Sequence, residues 1–290
     1  MPLEPFPVIA HPYRSPTPFS CAYEVGPTSA SKAIVFIGGL GDGPHTVPYV
    51  RSLAKRLVEA SEVGYSIFEI RMRSSFIGFG TSSLANDVED ISALVDYLRG
   101  IGKKTIVLFG HSTGCQDCME YSNYAKYQNS PVDGFILQAP VSDREGLAVS
   151  FPKYQESLDL ANKMIADGHG EDCLPKKYVH GMLGAPVSAY RVQSLCAKGG
   201  DDDYFSSDLD DETVVKFWSR FEKPVLVLHS EEDEHVPKHV NQEELNKRYQ
   251  KAGKHVSSLS GIIPGTGHTV RGQEARDWLA DRVIQFLGTL

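Results

Sequence analysis

The sequence predicts an α/β fold with a mostly parallel central sheet, helices on both faces and an inserted helical lid. Short apolar runs alternate along the chain with longer amphipathic stretches, as in strand–helix–strand units. The apolar runs are continuous rather than alternating, which is typical of strands covered by helices on both faces. A long segment near residues 141–221 interrupts this rhythm and predicts the insertion.

Five continuous apolar runs predict the buried strands of the sheet. They are Ala33–Ile37, Tyr65–Ile70, Thr105–Phe109, Gly134–Leu137 and Pro224–His229. Weaker patterns predict an early edge strand near Phe19–Val25 and a late strand near Ser257–Ile263.

The amphipathic stretches between these strands predict helices. In Ser82–Arg99, apolar residues recur at three- and four-residue steps, which places them on one helix face. The other candidates are Val47–Ser61, Thr113–Gln128 and Gln273–Leu287.

Residues 141–221 predict a helical lid inserted into a core made of residues 1–140 and 222–290. This segment holds no convincing buried strand, but Tyr154–Ala166 and Val187–Leu195 have helical patterns. Its two acidic clusters, Asp201–Asp203 and Asp208–Glu212, are interpreted as solvated surface.

Composition narrows the class of protein. The 290 residues are 41% hydrophobic and 23% charged, as in ordinary globular proteins. The formal net charge of −8 argues against nucleic-acid binding and, weakly, against an anionic membrane partner. The N-terminus lacks the apolar core of a secretory signal, and no apolar run reaches the roughly 20 residues of a membrane span. A cytoplasmic location is therefore expected.

The five cysteines predict no metal site, because their spacing matches no zinc pattern. Cys115 and Cys118, three residues apart, are interpreted as small thiols on a helix face rather than a redox pair. No cofactor is expected, and the oligomeric state is left open.

The segment Gly110–Gly114 reads Gly-His-Ser-Thr-Gly and predicts a nucleophilic serine at Ser112. The motif directly follows a predicted strand and precedes a predicted helix, which is the context of a nucleophile elbow. So tight a turn excludes large residues two positions either side of the serine, and glycine stands at both. The alternative is a serine that merely caps an ordinary helix.

A serine hydroxyl needs a base, and the base needs an acid to orient it. Asp233 follows the strand Pro224–His229, where catalytic groups of α/β sheets collect, and is the predicted acid. His268, in a glycine-containing loop before the last helix, is the predicted base. The rival residues are Glu231, Glu232, Glu234, His235 and His255.

The glycine-rich loop Gly38–Gly43 predicts one half of an oxyanion hole. It follows a strand, but it matches neither the Lys-containing phosphate loop nor the dinucleotide-binding glycine pattern. The backbone N–H groups of Leu40 and Thr113 are the predicted oxyanion donors. Candidate substrate-binding residues are Arg71, Arg73, Arg144 and Phe76, with surface or lid packing as the alternative.

The triad and its order along the chain resemble the α/β-hydrolase superfamily. The segments Ser74–Leu84 and Leu137–Glu145, with the serine motif, also resemble a fungal family long described as a domain of unknown function. That family includes intracellular siderophore esterases. The resemblance implies cytosolic hydrolysis of a fusarinine-type hydroxamate ester, with any iron carried by the substrate.

The sequence therefore predicts a serine esterase that acts on a small-molecule ester through an acyl-enzyme. A general carboxylesterase or thioesterase of unknown substrate is the first alternative. A ligand-binding relative without catalysis is the second, because a fold does not determine a function.

Overall fold

The structure is a computed structural model that describes residues 5–290. Within these residues, eight strands form one central sheet. They are β1 Ile9–Pro12, β2 Cys21–Val25, β3 Lys32–Ile37, β4 Tyr65–Ile70, β5 Thr105–His111, β6 Gly134–Gln138, β7 Val225–Ser230 and β8 Gly261–Ile263.

The sheet has the order β1-β2-β4-β3-β5-β6-β7-β8. Strands β1 and β2 pair antiparallel, as do β2 and β4, and every other pair is parallel. All residues of β4, β6 and β7 are buried. The predicted fold class is confirmed, and the five buried strands lie where their apolar runs predict them.

Helices cover both faces of the sheet and form most of the insertion. They are α1 Tyr49–Glu59, α2 Leu84–Gly100, α3 Gly114–Tyr121, α4 Tyr124–Tyr127, α5 Asp143–Ser150, α6 Tyr154–Ala166, α7 Lys176–Val179, α8 Ala189–Cys196, α9 Asp211–Trp218, α10 Gln242–Ala252 and α11 Gln273–Leu287. Two short 3₁₀ helices span Ser61–Val63 and Phe76–Thr81. None of the helices between residues 5 and 290 is both long and apolar enough to cross a bilayer.

Alternate side chains of each central strand enter two separate apolar cores. In β3, Val35 and Ile37 pack with α2 and α3 on one face, while Ile34 and Phe36 pack with α1 and α11 on the other. This is why the strands read as continuous apolar runs: both faces of the sheet are covered.

The predicted helix Thr113–Gln128 is wrong as a single element, because it is interrupted after Tyr121. The Ser122 hydroxyl donates to the Met119 carbonyl (2.7 Å) and competes with the helical hydrogen bonds. The late strand is also shorter than predicted. Residues 257–260 form a turn, in which the Ser260 N–H donates to the Ser257 carbonyl (3.0 Å).

The early strand is not an edge strand as predicted, because β1, which was not predicted, pairs on its outer side. Helix α10 was also not predicted, although Asn241 caps its first turn by accepting from the N–H groups of Glu243 and Glu244. Its mostly polar sequence contains only three apolar residues, Leu245, Tyr249 and Ala252, which makes the helix hard to recognise.

The insertion is helical and has its own apolar core, which includes Phe151, Ala161 and Val187. Its last part belongs to the main core instead. The Trp218 ring stacks 4.3 Å from Tyr249, and Phe221 lies 4.8 Å from Phe135. The end of the insertion is therefore anchored to the main core, and the boundary of the lid at residue 221 stays a prediction.

Two residues of the first acidic cluster are not solvated, and that interpretation was wrong for them. Asp202 is 1% exposed and pairs with Arg191 (2.5 Å), and Asp203 is 5% exposed and pairs with Arg144. A charge run carries no information about distant cations that fold against it.

Candidate active site

Ser112 lies on the turn between β5 and α3, at the carboxyl edge of the parallel strands. Its backbone has φ of +55°, a left-handed conformation that is uncommon for residues other than glycine. The Ser112 N–H donates to the Gln138 carbonyl at 3.0 Å, which ties the turn to the end of β6. The strain exposes the hydroxyl above the sheet edge.

Three glycines make this turn possible, because each lies against backbone or against the serine. A Cβ on Gly110 would lie 2.2 Å from the Gly114 carbonyl oxygen, and one on Gly114 would lie 2.4 Å from the Ile37 oxygen. A Cβ on Gly39 would lie 2.6 Å from the Ser112 Cβ. The glycine-rich loop after β3 is therefore packed directly against the serine.

The structure brings Asp233 and His268 together. Asp233 Oδ2 lies 2.8 Å from His268 Nδ1, and both side chains are buried. Asp233 Oδ1 accepts from the His235 N–H at 3.0 Å, so both carboxylate oxygens have partners. The carboxylate thus fixes the ring orientation and leaves Nε2 as the basic nitrogen.

The neighbouring acids hold the loop instead. Glu234 accepts from the His268 N–H (2.8 Å), and Glu231 accepts from the Gly265 N–H (2.6 Å). Of the rival histidines, His255 lies beside the first residue of β7, where its carbonyl accepts from the Val225 N–H. This is the end of the strand opposite to Asp233. His235 packs edge-on against the His268 ring, with centroids 4.5 Å apart.

The Ser112 hydroxyl has no hydrogen-bond partner within residues 5–290. The Asp233–His268 pair is thus formed, while a hydrogen bond between Ser112 and His268 is not made in this conformation. Catalytic hydrogen bonds that are long or absent without substrate commonly tighten when substrate binds.

Gln138, at the end of β6, connects the groups around His268 and was missed in the sequence. Its Oε1 accepts from the Tyr49 hydroxyl (3.0 Å) and lies 2.6 Å from His111 Nδ1. Its Nε2 donates to the Ser230 hydroxyl (3.2 Å) and to the His268 carbonyl (3.4 Å). The only sequence signal is a polar residue that directly ends a buried strand.

The His111 ring lies beside His268, the predicted base, and is neutral. Its ring centroid lies 4.9 Å from that of His268. Burial, followed by the proximity of His268, lowers the pKa of His111 to about 4. His111 is therefore uncharged near neutral pH and does not oppose a positive charge on His268.

The two predicted oxyanion donors are free of protein acceptors. Within the part of the chain that the structure describes, the N–H groups of Leu40 and Thr113 make no hydrogen bond. The loop that contains Leu40 is ordered by Asp42, whose carboxylate accepts from the Gly39 N–H at 2.9 Å. Thr113 precedes the first turn of α3, where backbone N–H groups favour negative charge.

Two of the predicted substrate-binding arginines are held in ion pairs. Arg73 contacts Asp90 through its backbone N–H (2.8 Å) and its guanidinium (2.9 Å). Arg144 pairs with Asp203 and Asp208 inside the insertion. These contacts stabilise a loop and the lid, and a role for either arginine in substrate binding stays a prediction.

Arg71 and Phe76 remain open toward solvent. The Arg71 side chain is exposed. Phe76 is 47% exposed, and a Cβ on Gly43 would lie 2.3 Å from its ring. Phe76 therefore borders the glycine-rich loop that carries the predicted oxyanion donor Leu40, and its contact with substrate is likewise a prediction.

A serine on the turn after a central parallel strand, a glycine-rich loop beside it and an Asp–His pair on later loops define an α/β hydrolase. The family model described as "Protein of unknown function (DUF1749)" matches residues 1–288. The chain belongs to this family, as the sequence resemblance predicted.

Named relatives agree with this assignment. UPF0613 protein PB24D3.06c of Schizosaccharomyces pombe is 38% identical over 88% of this chain and 86% of its own length. Fusarinine C esterase sidJ of Aspergillus fumigatus is 28% identical over 98% of this chain and 96% of its own length.

Among solved structures, siderophore hydrolase EstB from Aspergillus fumigatus superposes with a TM-score of 0.84 at 27% identity. The match covers 100% of this chain and 99% of that one. Together with the fold, these relatives identify the chain as a carboxylic-ester hydrolase.

Proposed function

We propose that the protein hydrolyses a fusarinine-type hydroxamate siderophore in the cytosol, through Ser112, His268 and Asp233. The observation that carries the triad is the 2.8 Å Asp233–His268 pair at the sheet edge that also holds the strained Ser112. The substrate class rests on relatives, since one is named a fusarinine C esterase and another a siderophore hydrolase.

In the proposed mechanism, His268 takes the proton of Ser112 as the hydroxyl attacks the ester carbonyl. The N–H groups of Leu40 and Thr113 stabilise the oxyanion. His268 then protonates the leaving alcohol, and water releases the acyl group by the same path. Asp233 keeps the imidazole oriented and stabilises its positive charge.

The test uses iron-loaded and iron-free fusarinine C and triacetylfusarinine C, with products followed by mass spectrometry. A short-chain p-nitrophenyl ester serves as a general substrate. The variant Ser112→Ala is compared with Ser150→Ala, which changes an exposed lid serine bonded to the Gly146 carbonyl.

Siderophore cleavage by the wild type and by Ser150→Ala, but not by Ser112→Ala, would support both parts of the proposal. Cleavage of the p-nitrophenyl ester alone would keep the triad and reject the siderophore. Equal activity of Ser112→Ala and wild type would reject Ser112 as the nucleophile.

A further inference from the structure

A small polar cleft adjoins the oxyanion loop on the side of β4. It is lined by that loop and by groups from four other segments, including Ser74, Asp87, Thr113, Asp117 and Arg191. Its cavity volume is about 20 Å³, which is room for one group the size of a water molecule. A ligand group that fits this space is therefore a single small head group.

The walls of the cleft hold two buried oxygens that lack a hydrogen-bond partner among residues 5–290. Asp117 is 4% exposed, and its Oδ1 is one of these two oxygens. Thr113 is 6% exposed, and its hydroxyl is the other oxygen. The two residues are four apart at the start of α3 and so share one helix face. Buried polar groups are normally paired, so the free Asp117 oxygen indicates a missing donor.

The charge around the cleft is also unbalanced. Four carboxyl groups surround the guanidinium of Arg191: those of Asp87, Asp117, Asp143 and Asp202. Arg191 forms an ion pair with Asp202 at 2.5 Å. Burial raises the pKa of Asp87 to about 7 and that of Asp117 well above its usual range. A cation in the cleft would provide a positive countercharge and so favour the ionised form of these carboxyls.

We propose that this cleft binds a primary ammonium group carried by the ester substrate, a few bonds from the carbonyl. An ammonium has three N–H donors and one positive charge in a volume close to that of water. It can donate to Asp117 Oδ1 and the Thr113 hydroxyl while Asp87 balances its charge. Because Thr113 and Leu40 both line the cleft, the bound group lies beside the oxyanion site.

This inference rests on the proposed esterase function for its kinetic test, but binding can be measured without catalysis. Thermal unfolding is followed with n-propylammonium and with tetramethylammonium, which has equal charge but no N–H donor. We expect n-propylammonium at 100 mM to raise Tm by about 2 °C more than tetramethylammonium. Equal shifts from both ions in the wild type would overturn the proposal, whether or not the enzyme hydrolyses esters.

The binding difference should disappear in Asp117→Asn and in Asp87→Asn. Replacement by a neutral amide of similar size keeps the packing while removing the anionic acceptor. The matched control is Asp96→Asn on the solvent side of α2, where Asp96 is exposed and bonded to Ser130. A difference that persists in both site variants would place the ammonium elsewhere and reject the cleft.

The kinetic test compares ethyl esters that differ only by an ammonium in place of a methyl group. The pairs are glycine with propanoate, β-alanine with butanoate and 4-aminobutanoate with pentanoate. For each pair we take the ratio of kcat/KM for the ammonium ester to kcat/KM for the neutral ester. At the best-fitting chain length, we expect this ratio to be about tenfold higher in the wild type than in Asp117→Asn. Hydrolysis of the neutral esters with no such change would leave the esterase function intact and overturn the ammonium site.

Discussion

Gly110 is two residues before Ser112, and an alanine there tests how tightly the turn is packed. The added Cβ would lie 2.2 Å from the Gly114 oxygen, 2.4 Å from the Gly114 carbonyl carbon and 2.7 Å from the Cys115 nitrogen. Ordinary contact begins near 3.4 Å, so the first turn of α3 must move by about 1.2 Å. All three atoms are backbone and cannot rotate away.

This displacement should lower both stability and activity in Gly110→Ala. Overpacking of this kind costs about 1–3 kcal/mol in the free energy of unfolding. A shift of about 1 Å in the Thr113 N–H and the Ser112 hydroxyl should lower kcat/KM about 100-fold. Urea unfolding and hydrolysis of a p-nitrophenyl ester measure the two effects.

Gly100→Ala is the matched control, because a Cβ at this position, at the end of α2, lies within 4 Å of no atom of the described residues apart from its neighbours in the chain. It should leave activity unchanged and raise the free energy of unfolding by up to about 1 kcal/mol. If Gly110→Ala retained wild-type kcat/KM and unfolded within about 0.5 kcal/mol of the wild type, the packing argument would be refuted.

Three other substitutions test the site and its surroundings. Asp233→Asn should lower kcat on the order of 10³–10⁴-fold with little change in stability, since it disturbs the His268 tautomer. A decrease in kcat of less than about tenfold in steady-state assays would contradict the assignment of Asp233 as the acid. Arg191→Met should lower the free energy of unfolding in urea by about 3–5 kcal/mol, because it leaves the buried Asp202 carboxylate without its cation. An unchanged free energy of unfolding would show that the ion pair is not needed for stability. Burial raises the pKa of Asp87 to about 7, so its protonation stabilises the native state fully below pH 4, and this contribution is lost as pH rises to 7. The stability of Asp87→Asn should therefore gain on the wild type by up to about 1.4 kcal/mol per pH unit between pH 4.5 and 6.5, and parallel pH curves would disprove the shift.

The local pattern of the sequence determined the sheet and the tight turn that holds Ser112, the proposed nucleophile. Continuous apolar runs predict strands covered on both faces, and the Gly-x-Ser-x-Gly spacing has a steric cause within five residues of chain. The order of strands also predicts that loops after β5 and β7 meet at one edge. These inferences need only neighbouring residues and the rules of parallel sheets.

Contacts between distant segments were decided by the tertiary structure alone. Among four consecutive acidic residues, only the folded loop shows that Asp233 pairs with His268 while Glu234 bonds its backbone. Likewise, Arg73 could not be recognised as a loop anchor until α2 brought Asp90 to it. Side-chain partners that are far apart in the chain depend on how whole elements dock, and periodicity and turn chemistry do not encode that docking.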